Sequence, residues 1–235
     1  MTYATARDIG TRSHQCDATA ASRVGSVQAW ALLDGIGSST TVQQWTGNSV
    51  RLLARYAAAT GDPSRAIELT RDAALKDRFS SWPEGTAPNA VAVVAARSPD
   101  NELHIAWCGD SRAYWQPQRG PVQQMTEDHN YAQELRAKGA PEDVARRYSY
   151  LVTSHLRTTD GMFGTIGTAR VAPGRGRLLL CSDGVHPPYE DNGADLGADL
   201  VRGTVRTAAE RLVRTAMAFP ATYHDNATVL VVDLP

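Results

Sequence analysis

The stretch SVQAWALLDGIGSS, residues 26–39, sets the reading of this chain. Its first eight residues, SVQAWALL, are predicted as a buried strand ending at Asp34, and residues 40–59 then space their apolar side chains as a helix does. Working outward, the same pattern of an apolar run beside an aspartate recurs. AVAVVAA, residues 90–96, reads as a buried strand, and the turn Ser98-Pro99-Asp100-Asn101 joins it to LHIAWCG, a strand that ends at Asp110. A further strand is expected over Arg112–Gln116, another over RLLLCS (177–182) ending at Asp183, and a last one over ATVLVVDL, just after Asp225. Between these lie helical patterns. Asp62 is placed to cap a second helix with Pro63 at its first position. Residues 131–147 read as a polar helix broken at Gly139-Ala140-Pro141, and about Leu196 to Phe219 as one long helix. Strands and helices come in blocks, which predicts an α+β chain of antiparallel sheets with helices packed outside.

Four aspartates therefore share one local setting. Asp34 and Asp183 are each followed by glycine, which permits close backbone approach, and Asp225 by asparagine. If the strands are neighbours, Asp34, Asp110, Asp183 and Asp225 meet in a small volume, where like charges need compensation. A hard divalent cation supplies it, and an all-oxygen set favours magnesium or manganese over zinc. A single Asp-Gly after a strand is only a turn signal; the coincidence of four gives the cluster its weight.

These residues resemble a family, the metal-dependent (type 2C) protein serine/threonine phosphatases. LLDGIGSS (32–39) looks like its Asp-Gly-x-Gly-Gly motif, WCGDSRAYW (107–115) its Gly-Asp-Ser-Arg motif, LLLCSDGV (178–185) its Cys-Ser-Asp-Gly motif and HDNATVLVV (224–232) its Asp-Asn-x-Thr motif. MTEDHN (125–130), GTAPNAVAVV (85–94) and RDIGTRSHQCD (7–17) are similar to other family segments, all in family order along the whole chain. The resemblance implies one domain over 1–235, a four-layer sandwich of two antiparallel sheets flanked by helices, with a flap around 131–150. It implies that Asp34 bridges two core manganese or magnesium ions and that the Gly35 carbonyl binds one of them. Asp183 and Asp225 would ligate the other, and Asp17 would lie in or just behind the metal shell. Arg12 would grip the substrate phosphate, and Asp110 would serve a third, weak or absent ion. The reaction implied is hydrolysis of phosphoserine and phosphothreonine in proteins by water whose pKa falls from about 15.7 toward neutrality between two cations. Arginine suits the phosphate through its planar fork of donors.

The chain departs from the family pattern in four places. Cys16 replaces an acidic or amide residue, Ile36 stands where some members have a histidine, and the second glycine pair is reduced to Gly37-Ser38-Ser39. Pro187 replaces a metal-binding aspartate, with Glu190 and Asp191 the nearby candidates to substitute for it. Cys16 and Pro187 support a second reading, a low-activity member that binds a phosphoprotein or partner. Other chemistries fail: Gly109-Asp110-Ser111-Arg112-Ala113 is followed by strand rather than the helix of a nucleophile elbow, and no phosphate-binding Gly-Lys-Ser/Thr loop exists. The six histidines lack ligand spacing, with His186 and His224 the two that flank proposed ligands. The tryptophans read as packing.

Composition bounds the rest. The 235 residues carry a net charge of −1, which gives no footprint for nucleic acid. No apolar run is long enough to span a bilayer, so no membrane partner is expected. The three cysteines give no disulfide framework, and MTYATARDIG lacks the pattern of a signal peptide, so a cytoplasmic location is expected.

Overall fold

A computed structural model describes residues 2–76, 87–158 and 164–235. Among the described residues, ten strands form two five-stranded antiparallel sheets. The first runs β1 (Thr2–Asp8), β10 (Ala227–Leu234), β9 (Gly176–Cys181), β6 (Arg112–Pro117) and β7 (Gln123–Gln124), in that order. The second runs β2 (Ala18–Val24), β3 (Val27–Ile36), β4 (Asn89–Arg97), β5 (Leu103–Cys108) and β8 (Gly167–Val171).

The alternation of side chains along each central strand makes the layers. Trp30 and Leu32 of β3, Val93 and Ala95 of β4, Leu178 and Leu180 of β9, and Leu230 and Val232 of β10 meet between the two sheets. Their odd-face neighbours turn outward to helices. On the second sheet Ala29, Ala31, Ala92 and Ala96 pack against Leu53, Ala54 and Ala57 of α1 (Thr40–Thr60) and Ile67 of α2 (Pro63–Lys76). On the first, Leu179, Val229 and Val231 pack against Tyr189 of α5 (His186–Asp191), Leu200 of α6 (Leu196–Val201) and Leu212 of α7 (Val205–Ala218). The result is helix, sheet, sheet, helix, as the resemblance implies. Small alanines on the helix-facing side of β3 and β4 let α1 lie close to its sheet.

Local signals explain most element ends. Ser39 caps α1 by accepting from the Val42 N–H at 3.2 Å, and Gly61 closes it in the left-handed region at φ 68°. Asp62 accepts from the N–H groups of Ser64 and Arg65, at 2.9 and 3.1 Å, and starts α2 as expected. The polar stretch after residue 131 does break, into α3 (Tyr131–Ala137), α4 (Glu142–Ala145) and a 3-10 turn at Arg146–Tyr148.

Two expectations are corrected, and one element is added. Strand β3 runs to Ile36, so Asp34 and Gly35 lie inside it rather than beyond its end. The single long helix over 196–219 is two, because Gly203 sits at φ 76° and Thr204 caps α7 by accepting from the Thr207 N–H. The short helix α5 was not foreseen, as Pro187 and Pro188 hide it; proline fits the first turn, where an N–H has no partner. Residues 85–86 of the segment GTAPNAVAVV lie outside the described residues.

Candidate active site

The predicted residues gather at one end of the sandwich, where the chain passes between sheets. Arg12 and Asp17 sit on the link from β1 to β2, and Asp110 on the link from β5 to β6. Asp183 follows β9 and Asp225 precedes β10. Asp34 lies on the inter-sheet face of β3, two residues beyond Leu32. Asp17 and Asp110 are buried, and Asp34, Asp183 and Asp225 are half-buried at the rim.

Backbone packing draws these segments together. A Cβ on Gly35 would lie 2.6 Å from the Cys16 carbonyl oxygen, and one on Gly184 would lie 2.1 Å from that of Asn226. Both positions therefore need glycine for close approach rather than for a turn. Asn226 ties the cluster to the first link: its Oδ1 accepts from the Cys16 N–H at 2.7 Å and its Nδ2 donates to the Ile9 carbonyl at 2.9 Å. Ser182 Oγ donates to Asp17 Oδ2 at 2.8 Å. Ser182 and Asn226 were missed as positioning residues, although both lie inside the motifs that carry the resemblance.

The electrostatics follow from crowding. Burial, then the charges of Asp17, Asp110 and Asp225, push the Asp34 carboxyl well above the usual range, while a hydrogen bond with Asp183 acts the other way. Burial and the charges of Asp34 and Asp225 raise Asp183 likewise. Two carboxyls can hydrogen-bond only if one keeps a proton. Burial raises Asp17 to about 8 against its bond from Ser182, and burial with Asp183 and Asp128 raises Asp110. Five carboxyls thus face one another with Arg12 and Arg112 as the cations that offset them.

Arg12 is not free for a substrate in this arrangement. Its Nε donates to Asp225 Oδ1 at 2.8 Å and its Nη2 to Oδ2 at 2.5 Å, a two-pronged pair. Its guanidinium also lies 5.0 Å from the centre of the Tyr223 ring. Among the described residues no three His, Cys, Asp or Glu side chains stand ready-made to hold a metal ion. The donors nonetheless fit a hard divalent cation in kind: they are carboxylates, mutually repelling, with too few cations among them. An ion that used the Asp225 carboxylate would have to displace Arg12 from it.

The departures from the family pattern have structural outcomes. The Cys16 thiol is fully buried and points to the Ser39 carbonyl at 3.7 Å. Ser38 and Ser39 replace glycine with useful hydroxyls: Ser39 caps α1, and Ser38 Oγ accepts from the His14 N–H at 3.2 Å. Ile36 is exposed. Glu190 pairs with Arg112, and Asp191 with Arg146 at 3.2 Å, so both candidates for the role lost at Pro187 are engaged. A cleft of about 450 Å3 joins the cluster to the 131–150 segment, lined by Asp110 and Asp183 on one side and Arg136, Glu142 and Arg146 on the other. His186 borders this cleft, buried, with Nε2 3.1 Å from the Asp110 carbonyl; burial pushes its pKa down to about 3, so it is neutral. His224 contributes backbone: its carbonyl accepts from the Thr11 N–H at 2.9 Å.

A profile of the family Protein phosphatase 2C matches residues 9–135, more than half of the chain. The chain belongs to this family. It is 30% identical over 153 residues to the serine/threonine protein phosphatase PstP of Mycobacterium tuberculosis, a match covering 64% of this chain and 28% of that protein. The chain thus aligns with little more than a quarter of the curated relative's length. Among solved structures, it resembles the PPM Ser-Thr phosphatase MsPP from Mycobacterium smegmatis, solved in complex with cacodylate, with a TM-score of 0.78 at 25% identity, covering 100% of this chain and 99% of that one. The catalytic domain of PstP, solved in complex with two manganese ions, gives a TM-score of 0.73 at 25% identity over 99% and 97% of the chains. Family and fold therefore agree with the order of motifs. Among the described residues, no helix is long and apolar enough to cross a membrane.

Proposed function

We propose that this chain is a catalytic domain that hydrolyses phosphoserine and phosphothreonine in proteins with manganese or magnesium. The observation that carries the reading is the cluster of five aspartates from both sheets, each of Asp17, Asp34, Asp110 and Asp183 pushed up by burial and by its neighbours. In this reading Asp34, the Gly35 carbonyl, Asp183 and Asp225 hold two core ions, with Asp17 behind them. Bound there, the ions supply a water of lowered pKa and offset charge on the phosphoryl oxygens. The protein's own part is positioning. Ser182 orients Asp17 and Asn226 anchors the Arg12 link, so the carboxylates are fixed before substrate arrives. Arg12 leaves Asp225 and turns its paired donors on the phosphate, where charge builds during transfer. Asp110 faces a third, weaker position, since Pro187 offers no ligand and Glu190 is held by Arg112. The segment 131–150 acts as a flap over the charged cleft.

The substrates in this reading are phosphoproteins. The three buried cysteines are free thiols, which supports a reducing, cytoplasmic setting. The deciding experiment is hydrolysis of a phosphothreonine peptide with and without millimolar manganese. Turnover that appears with manganese and stops with a chelator is expected; turnover unaffected by chelator after metal removal would overturn the reading.

A further inference from the structure

A second hollow, of about 300 Å3, opens from the same cluster. Asp183, Asp191, Asn192, His224 and Asp225 give it a polar side, and Pro187, Met217, Phe219, Ala221 and Tyr223 an apolar one. Those five walls are apolar or aromatic. They are also braced: Phe219 stands edge-on to Tyr189 of α5 at 5.6 Å between ring centres, and Tyr189 is buried. Tyr223 links hollow and site, because its half-exposed ring lines the one and lies against the Arg12 guanidinium in the other. Pro187, a lost carboxylate when read as a metal position, is here an apolar wall.

We propose that this hollow receives a large apolar side chain next to the phosphorylated residue of the substrate. The proposal rests on the phosphatase reading and names its preferred substrates: phosphoproteins with an aromatic or large aliphatic residue flanking the phosphothreonine or phosphoserine. Continuity of the walls selects this occupant. Asp225 lies in the hollow's wall and is the current partner of Arg12, so a peptide whose phosphate is held by Arg12 brings its flanking residue to the opening. The volume suits one side chain rather than a partner helix. Burying that side chain against the apolar side of the hollow supplies the preference.

The test uses phosphothreonine peptides of glycine and alanine with a single phenylalanine walked one to three places to either side, and p-nitrophenyl phosphate as a substrate too small to reach the hollow. The unaltered protein is expected to favour one phenylalanine position by about tenfold in kcat/KM, the scale of a single apolar group in a pocket. Ala221→Trp fills the hollow from an exposed position and should erase that preference while p-nitrophenyl phosphate is turned over as before. Met217→Glu is a second variant, which should shift the preference at the same position from phenylalanine toward arginine. Turnover of p-nitrophenyl phosphate with no positional preference, or a preference that survives both variants, would overturn the pocket alone. Absence of turnover of every substrate with manganese would overturn the phosphatase reading on which it rests.

Discussion

Arg112→Ala should be among the most destabilising single changes in this chain. Arg112 sits two residues after Asp110, at the start of β6, and both it and Asp128 are shielded, with side-chain exposures of 11% and 9%. The two make a paired contact, Nε to Oδ1 and Nη2 to Oδ2, each at 2.8 Å. Burial opposes ionisation of Asp128, yet the Arg112 bonds hold its carboxyl below the ordinary value. Nη1 reaches Glu190 of α5, which is half exposed and adds little by itself. Removing the guanidinium leaves the Asp128 charge buried without its partner, a loss of about 3–5 kcal/mol. At about 2–4 °C per kcal/mol for a chain of this size, the melting temperature should fall by roughly 6–20 °C. The sign with pH is fixed by the lowered carboxyl. The pair's contribution is present above the unfolded value of about 3.9 and fades as pH falls through the lower folded value. Urea unfolding at pH 7, checked for two-state behaviour, measures the cost. The double change Arg112→Met with Asp128→Leu removes both charges and should recover most of it. A single-variant cost below about 1 kcal/mol would refute the claim that this pair is desolvated.

Three further outcomes concern the proposed chemistry. Asp34→Ala should cost more activity than Asp110→Ala at saturating manganese, because Asp34 faces Asp17, Asp110, Asp183 and Asp225 whereas Asp110 borders the weaker position; equal losses in kcat would remove the bridging role. Arg12→Ala should lower kcat/KM for a phosphate monoester by roughly 10- to 150-fold, from the loss of a charged hydrogen bond of about 1.5–3 kcal/mol. Manganese affinity by calorimetry should not fall in that variant, since Arg12 competes for both oxygens of Asp225, and a weakened affinity would contradict the competition. Crystals soaked in manganese should show two strong anomalous peaks and a weak third beside Asp110, with Pro187→Asp strengthening only the third; a third peak already equal to the others would show that another group fills the role of the missing carboxylate.

The central strands were legible because they are buried on both faces, and an apolar run such as VAVVAA or LLL reports that directly. Strands β1 and β2 were not, since they lie at sheet edges and carry exposed residues such as Tyr3 and Val24. Asp34, Asp110, Asp183 and Asp225 were legible through position, each in or beside a strand whose pattern is clear, whereas Asp17 stands before β2 and was reached only through the family resemblance. The partners were less so. Nothing local indicates that Arg12 lies on Asp225, 213 residues away, or that Arg112 spans to Glu190, 78 residues away. Likewise Cys16 reads as a poor ligand in sequence, while only the fold shows that its thiol faces the Ser39 carbonyl.

The placement of the acidic residues gives the cluster its physical logic. Asp34 belongs to the second sheet, Asp183 and Asp225 flank strands of the first, and Asp17 and Asp110 lie on crossings between the two. The inter-sheet core of Trp30, Leu32, Leu180 and Leu230 presses the two sheets together, and that apolar gain forces the carboxylates at its end into company they would otherwise avoid. Arg12 offsets part of the charge by clamping Asp225, and burial among like charges pushes the Asp34 and Asp183 carboxyls toward their neutral forms. In the proposed reading, the clamp on Asp225 occupies oxygens that a divalent cation would use. In the same reading, a site at the end of two packed sheets would exchange that guanidinium for metal while the inter-sheet core keeps the strands in place.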